Sequence, residues 1–320
     1  MDKKQKSMKL LLPIIVVVVI AIVISLVFVF NRKDTKAYDD KLEQAQKYVE
    51  EMDYKRAETA YLEAIKIDSK QPKAYLKLAD VYVADEQADK AIKILNKGLK
   101  NVDKDDQKEI KDKLKKYKNE EKMYEEYAKI TSKYLKAAND ENIYENYDFS
   151  GYEDINTEYI IDCNNYGYEA SFSLYDINKD NVPELLIGLS KEDYQDYHNI
   201  YDAYTFVDGK IYQLMAGVYR DTFYLCENGI IAETGSGGWQ DFFDNFYILP
   251  ENAKKLKIVD RIGCEEGSYY HSRDNKIQIS EEEYLDILSQ YTGIYVDYYK
   301  LTQENIDQCK KGNLGICKEI

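Results

Sequence analysis

Two stretches of this 320-residue chain repeat one another at a spacing of 34 residues, and that period restricts the fold more than any other feature. Tyr48, Tyr54, Ala57, Tyr61, Ala64 and Ile65 return as Tyr82, Ala88, Ala91, Leu95, Gly98 and Leu99. Periods of 20 to 50 residues mark supersecondary units that stack on their neighbours to bury one continuous core. Within each unit the spacing is helical. Small residues at 57, 64, 91 and 98 let two antiparallel helices approach closely, and the bulky residues fill the seam between them.

With Tyr75, Leu78 and Ala79 opening the second unit, these positions resemble the tetratricopeptide repeat over residues 38–103. Glu86 stands where the family usually has a turn glycine and Ser69 where it has proline, while Lys41 and Gln44 weaken the first helix. The resemblance implies a surface that binds a peptide or partner protein; a stalk or a self-association surface is the alternative for so short an array. Two repeats are fewer than the roughly three a stable array needs. The apolar positions Ile110, Leu114, Tyr117, Tyr124, Tyr127, Ile130, Tyr134 and Leu135 predict a capping and spacer helix over 105–138 that completes the helical region 38–138.

Residues 10–30 read LLLPIIVVVVIAIVISLVFVF, without a charge. As a helix this run is roughly 30 Å long, the thickness of a bilayer core. It is too long for the apolar core of a cleaved signal peptide, and no small-x-small site follows it. The lysine excess in residues 1–9 orients that end inward. The expectation is a single-pass signal anchor in the cell membrane, with residues 1–9 cytoplasmic, the bilayer contacting 10–30, and the rest extracytoplasmic. Residues 1–9 carry four lysines against one aspartate, and the remainder holds 40 basic and 58 acidic side chains, net −18. That field repels a phosphate backbone, which excludes nucleic acid as a partner. Cys163, Cys226, Cys264, Cys309 and Cys317 are odd in number, so at least one is unpaired within the chain. Cys309 and Cys317 are close enough to close a small loop; buried thiols are the other reading.

After a polar linker at 139–154 the pattern changes to period two. Asp208-Gly209, Asn228-Gly229 and Asp274-Asn275 interrupt alternating strands with residues that adopt the positive φ of tight hairpins. Ser280 and Glu283 form a capping box for a helix, and Gly293 marks a stop. Residues 155–320 therefore read as an α+β domain with an antiparallel β-meander. The fold class expected for the whole chain is multidomain: an N-terminal transmembrane helix, α-helical repeats, then this domain.

Between the first two strands lies "YDINKDNVPELLIG". Asp176, Asn178, Asp180 and Glu184 occupy positions one, three, five and nine, with the Val182 carbonyl at seven and Asn181 at the sharp sixth position. A loop winding around a hard cation presents every second side chain inward. The flanks are strands and position twelve is Ile187, so this is no EF-hand. It resembles the D-x-[DN]-x-D-G-x-x-[DE] loops of FG-GAP-type β-repeats, and that resemblance implies Ca²⁺ held by Asp176, Asn178, Asp180, Val182 and Glu184. The longer string is similar to a domain of uncharacterised exported proteins from Gram-positive anaerobes. An Asx-type turn with solvated carboxylates is the competing reading.

Catalytic signatures are sparse. His198 and His271 lie outside any HExxH, and Ser236 sits in G-S-G rather than G-x-S-x-G. A Cys264–His271 pair would depend on spatial proximity. Taken together, the sequence points to an interaction or scaffold protein with a calcium-stabilised C-terminal domain. The alternative is a cell-envelope hydrolase working on glycan or peptide through C-terminal carboxylates.

Overall fold

The structure, a computed structural model, describes residues 35–189, 200–217, 221–238, 240–272 and 276–317. The expected membrane helix at 10–30 lies outside them. The fold class is corrected to helical repeats followed by an antiparallel sheet, and the single-pass membrane placement is withdrawn with it. Among the described residues no helix is long and apolar enough to cross a membrane. The longest, Lys108–Ala137, has 30 residues but carries charged side chains along its whole length.

Packing divides the described residues into two units that meet between Lys118 and Asn119. The first begins with helix α1 (35–50), followed by α2 (Tyr54–Ile67), α3 (Pro72–Ala84), α4 (Ala88–Asn101) and the start of α5 (Lys108–Ala137). Helices α1–α2 and α3–α4 form two hairpins in the same 34-residue register. Their turns are matched residue for residue. Met52 and Glu86, 34 apart, both adopt left-handed φ values of 57° and 55°. The amides of Asp53 and Gln87 then reach back to the carbonyls of Tyr48 and Tyr82 at 2.8 and 2.7 Å. Arg56 lies 4.7 Å above the Tyr48 ring and Lys90 lies 5.4 Å above Tyr82, again one period apart.

Ala57, Ala64, Ala91 and Gly98 are buried in the seams, as their size requires. A Cβ on Gly98 would stand 3.0 Å from the Tyr75 ring and 3.1 Å from Ile110. The repeat core also takes in Ile110, Leu114 and Tyr117 from α5. The charged helix thus closes the array that two repeats alone would leave open.

In the second unit α6 (Glu141–Asn146) falls within the expected linker, and α7 (Thr157–Tyr166) precedes the strands. Strands β1 (Ala170–Tyr175), β2 (Glu184–Leu189), β3 (Ile200–Val207), β4 (Lys210–Ala216), β5 (Asp221–Cys226), β6 (Ile230–Gly238), β7 (Asp241–Ile248), β8 (Lys257–Glu265), β9 (Ser268–His271), β10 (Ile277–Gln278) and β11 (Tyr299–Lys300) share one sheet. Its order is β10-β9-β8-β7-β6-β5-β3-β2-β1-β11, with β4 pairing β3 off this path. Helix α8 (Glu281–Leu288) carries the capping box at Ser280 and Glu283, and α9 (Gln303–Lys310) follows β11. Helix α8 ends at Leu288, well before Gly293, whose backbone instead bridges to Cys226.

Both faces of the central strands are covered. Leu185, Ile187 and Leu189 enter one core with Tyr127, Tyr134, Tyr159 and Phe172, while Leu186 enters another with Tyr175, Ile177 and Ile200. Burial on both sides removes the need for a polar face, so β2 reads as an unbroken apolar run. The turns at Asp208-Gly209 and Asn228-Gly229 have the expected positive φ; 274–275 lies outside the described residues. A further hairpin turns at Glu266-Gly267, with φ of 49° and 76°. All five cysteines are buried and none is joined in a disulfide, so the Cys309–Cys317 loop is not closed by one.

Candidate functional site

Strands β1 and β2 pair from Ala170↔Leu189 to Tyr175↔Glu184, which puts the acidic stretch in the turn between them. Asp176 accepts the amides of Asp180 at 3.0 Å and Asn181 at 2.8 Å through its two carboxylate oxygens. The Asn178 carbonyl oxygen also accepts the Asp180 amide, at 3.1 Å, and its amide nitrogen donates to Asp180 at 3.0 Å. Asp180 in turn accepts the Val182 amide at 2.8 Å. These are Asx-turn bonds, in which short side chains satisfy backbone donors that the sheet cannot reach. Lys179 and Asn181 supply the left-handed residues, φ 59° and 68°.

Glu184 differs from the others. It is 1% exposed, and its carboxylate accepts the Ile177 amide at 3.0 Å and the Thr205 hydroxyl at 3.1 Å. Burial, reinforced by Asp180 and Asp176, pushes its pKa up to about 8 against these two bonds. The loop is closed from outside by the hairpin turn at Asn228-Gly229. A Cβ at Gly229 would collide with the Ile177 carbonyl, so only glycine fits there, at φ 72°. Among the described residues no group of three or more His, Cys, Asp or Glu side chains is arranged to hold a metal ion.

The remaining buried carboxylates of this unit are each tied to tyrosines. Asp202 accepts the hydroxyls of Tyr134 and Tyr204 and the side-chain amide of Gln213. Asp244 accepts from Tyr284, and Asp260 from Tyr291 at 2.8 Å. His271 Nε2 stands 2.8 Å from Asp260, whereas Cys264 lies opposite Tyr269 in the ladder. The described partner of His271 is thus a carboxylate. Ser236 closes a strand end by donating to the Gly238 carbonyl at 2.9 Å. None of these arrangements favours the hydrolase reading. The buried Asp–Tyr pairs escaped the sequence because the partners lie far apart, 68 residues in the case of Tyr134 and Asp202.

In the repeat unit a cleft of about 610 Å³ opens between the two matched hairpin turns. Glu51, Met52, Tyr54, Glu58, Asp85 and Lys90 are among its walls. Met52 is 76% exposed there, so the cleft offers an apolar side chain among charges of both signs. Nothing in the sequence singled out Met52, because a left-handed turn position usually announces itself by glycine.

Residues 48–114 match the family model of the Tetratricopeptide repeat, a stretch that reaches from the end of α1 into α5. No curated protein and no solved structure matches the chain. The match points to protein partners and an interaction or scaffold role. The likeness to exported proteins and to FG-GAP-type loops has no counterpart in these comparisons.

The pKa of Glu184 makes a pH prediction. Unfolded, the carboxyl ionises near its ordinary value of 4.5; folded, it holds its proton up to about 8. Across that window the folded state binds more protons, so the contribution of Glu184 to stability falls as pH rises. Glu184→Gln should reduce the loss of melting temperature between about pH 5 and pH 8. Asp202 and Asp244, whose pKa values burial also raises, leave a residual slope. An unchanged slope would contradict the assignment.

Proposed function

We infer that the helical repeats hold a polypeptide partner and that the cleft between the two hairpin turns is one of the places it touches. The 34-residue match of two helix hairpins, Met52 to Glu86 and Tyr48 to Tyr82, carries this reading. Stacked repeats hold an extended surface on a rigid frame and expose their turns, and such frames serve recognition by surface variation. Met52 offers an apolar contact, and Glu51, Asp85 and Lys90 around it offer charged ones. Mixed polar and apolar walls suit a peptide backbone with a side chain inserted.

A photo-crosslinking residue at Met52 tests this in the full chain. A discrete polypeptide should be captured from Met52, and not from the same probe at Ile258, which is exposed on the sheet unit. Equal labelling from both positions, or none from Met52, would remove the cleft from the interaction.

The second part of the reading concerns the acidic turn, which we propose takes Ca²⁺ weakly, in the range of roughly 10⁻⁴–10⁻³ M typical of extracellular modules. Its support is the alternation of oxygen side chains at 176, 178, 180 and 184 around left-handed Asn181. Asp176, Asn178, Asp180, the Val182 carbonyl and Glu184 would hold the ion, replacing bonds these groups now make within the turn. Calcium binding would need Glu184 ionised and would release its proton near neutral pH. Calorimetric titration of the full chain should show saturable heat that Asp176→Ala with Asp180→Ala abolishes. No heat up to several millimolar calcium, with the chain folded, leaves an Asx turn alone.

A further inference from the structure

Strand β4 leaves the sheet with an open edge. It pairs with β3 from Val207↔Lys210 to Asp202↔Ala216, and among the described residues its seven residues make no other ladder. The sheet's two terminal strands, β10 and β11, have two residues each, the short form in which natural sheets leave an edge. Two left-handed residues, Asp208 and Gly209, close the β3–β4 hairpin, which makes Val207 and Lys210 a mutually bonded pair. Bonded and non-bonded pairs alternate from there, so Thr205 and Tyr212 bond inward while Ile211 and Gln213 turn their amides and carbonyls outward. Among the described residues none bonds to those outward groups.

One end of this edge is basic, in a unit whose net charge is strongly the other way. Residues 119–320 carry 18 basic and 39 acidic side chains, net −21. Yet Lys122 and Lys254 both converge on the hairpin turn next to Lys210. The Lys122 ammonium would stand 3.6 Å from a Cβ on Gly209, and Lys254 lies 5.1 Å from the Tyr212 ring centre. Lys254 is paired with Asp208 at 3.1 Å. Lys122 and Lys210 are exposed and have no ion-pair partner among the described residues. Screening limits charge–charge contact to about 8–10 Å in physiological salt, so a segment lying along β4 meets Lys210, Lys122 and Lys254 together with Asp208 and the α5 glutamates beside Lys122, and not the net charge of the whole unit.

We propose that β4 is a strand-addition site for an extended acidic segment of a partner protein. The segment's backbone would bond to Ile211 and Gln213, and its carboxylates would lie over Lys210 and Lys122. This mode takes its affinity from main-chain bonds and its selectivity from the flanking side chains. A second copy adding its own β4 fits less well, because the charged side chain that strand brings is Lys210, a cation and not a carboxylate. The inference stands apart from the repeats, and either can fail without the other.

The test uses the full chain and three fluorescein-labelled peptides of alternating valine with a charged residue: one with glutamate, one with lysine, and the glutamate peptide N-methylated on alternate residues. The glutamate peptide should bind saturably and slow amide exchange at Ile211 and Gln213, and the lysine peptide should not. N-methylation, and separately Lys210→Glu with Lys122→Glu, should each weaken binding by about tenfold or more, since one removes donors and the other reverses the charge. Both lysines are exposed, so an unchanged melting temperature keeps the variant interpretable. Preference for the lysine peptide, affinity indifferent to both changes, or no binding by the glutamate peptide overturns the proposal.

Discussion

The sheet unit depends on carboxylates kept out of water by hydroxyl groups. Glu184, Asp202, Asp244 and Asp260 are all buried, and a buried charge without partners is too costly to keep. Each one accepts a hydroxyl: Thr205 for Glu184, Tyr134 and Tyr204 for Asp202, Tyr284 for Asp244, and Tyr291 for Asp260. Tyr134 comes from α5 and Tyr284 from α8, so these bonds fix helices onto strands and do more than satisfy a lone pair. Tyr134, Tyr204, Tyr284 and Tyr291 are four of the chain's 32 tyrosines. A tyrosine brings a large apolar ring into the core and a donor at its tip.

Around Asp202 the bonds extend into a network. The Asn156 amide donates to the Tyr134 hydroxyl at 2.8 Å and to Asp202 at 3.2 Å. The Asn156 side chain caps α7 and donates to the carbonyls of Tyr201 and Gly217. One buried carboxylate thereby sets the entry of α7, the seat of α5 and the pairing of β3 with β4. Burial raises the pKa of Asp202 while its hydrogen bonds hold it down. The strand that carries the open edge is anchored here too, because Gln213 of β4 donates to Asp202 at 2.7 Å.

The repeats were legible in the sequence because they are local. Small and large residues at fixed spacing demand a particular helix separation, and Ala57, Ala64, Ala91 and Gly98 could serve no other packing. The hairpins at Asp208-Gly209 and Asn228-Gly229 were legible for a similar reason, since few dipeptides tolerate positive φ. The hairpin at Glu266-Gly267 was not legible because glutamate is an uncommon left-handed residue; the strands on either side hold it there. Helix α7 was missed because its isoleucines and tyrosines suit a strand as well as a helix; the Asn156 cap and left-handed Gly167 decide it. The acidic turn was visible as a cluster, but the deep burial of Glu184 was not. That burial comes from both faces of β2 being covered, which no window of a few residues contains.

The dependence on buried carboxylates is tested most directly by a double-mutant cycle on Tyr134→Phe and Asp202→Asn, followed by denaturant unfolding. Tyr134→Phe removes the donor and keeps the ring, whereas Asp202→Asn keeps the side-chain volume and an acceptor oxygen and removes the charge that strengthens the bond. A coupling of about 1–3 kcal/mol is the expected result, with the double variant losing less than the sum of the two. Losses that add to within about 0.5 kcal/mol would mean the two residues act independently, and would contradict the account.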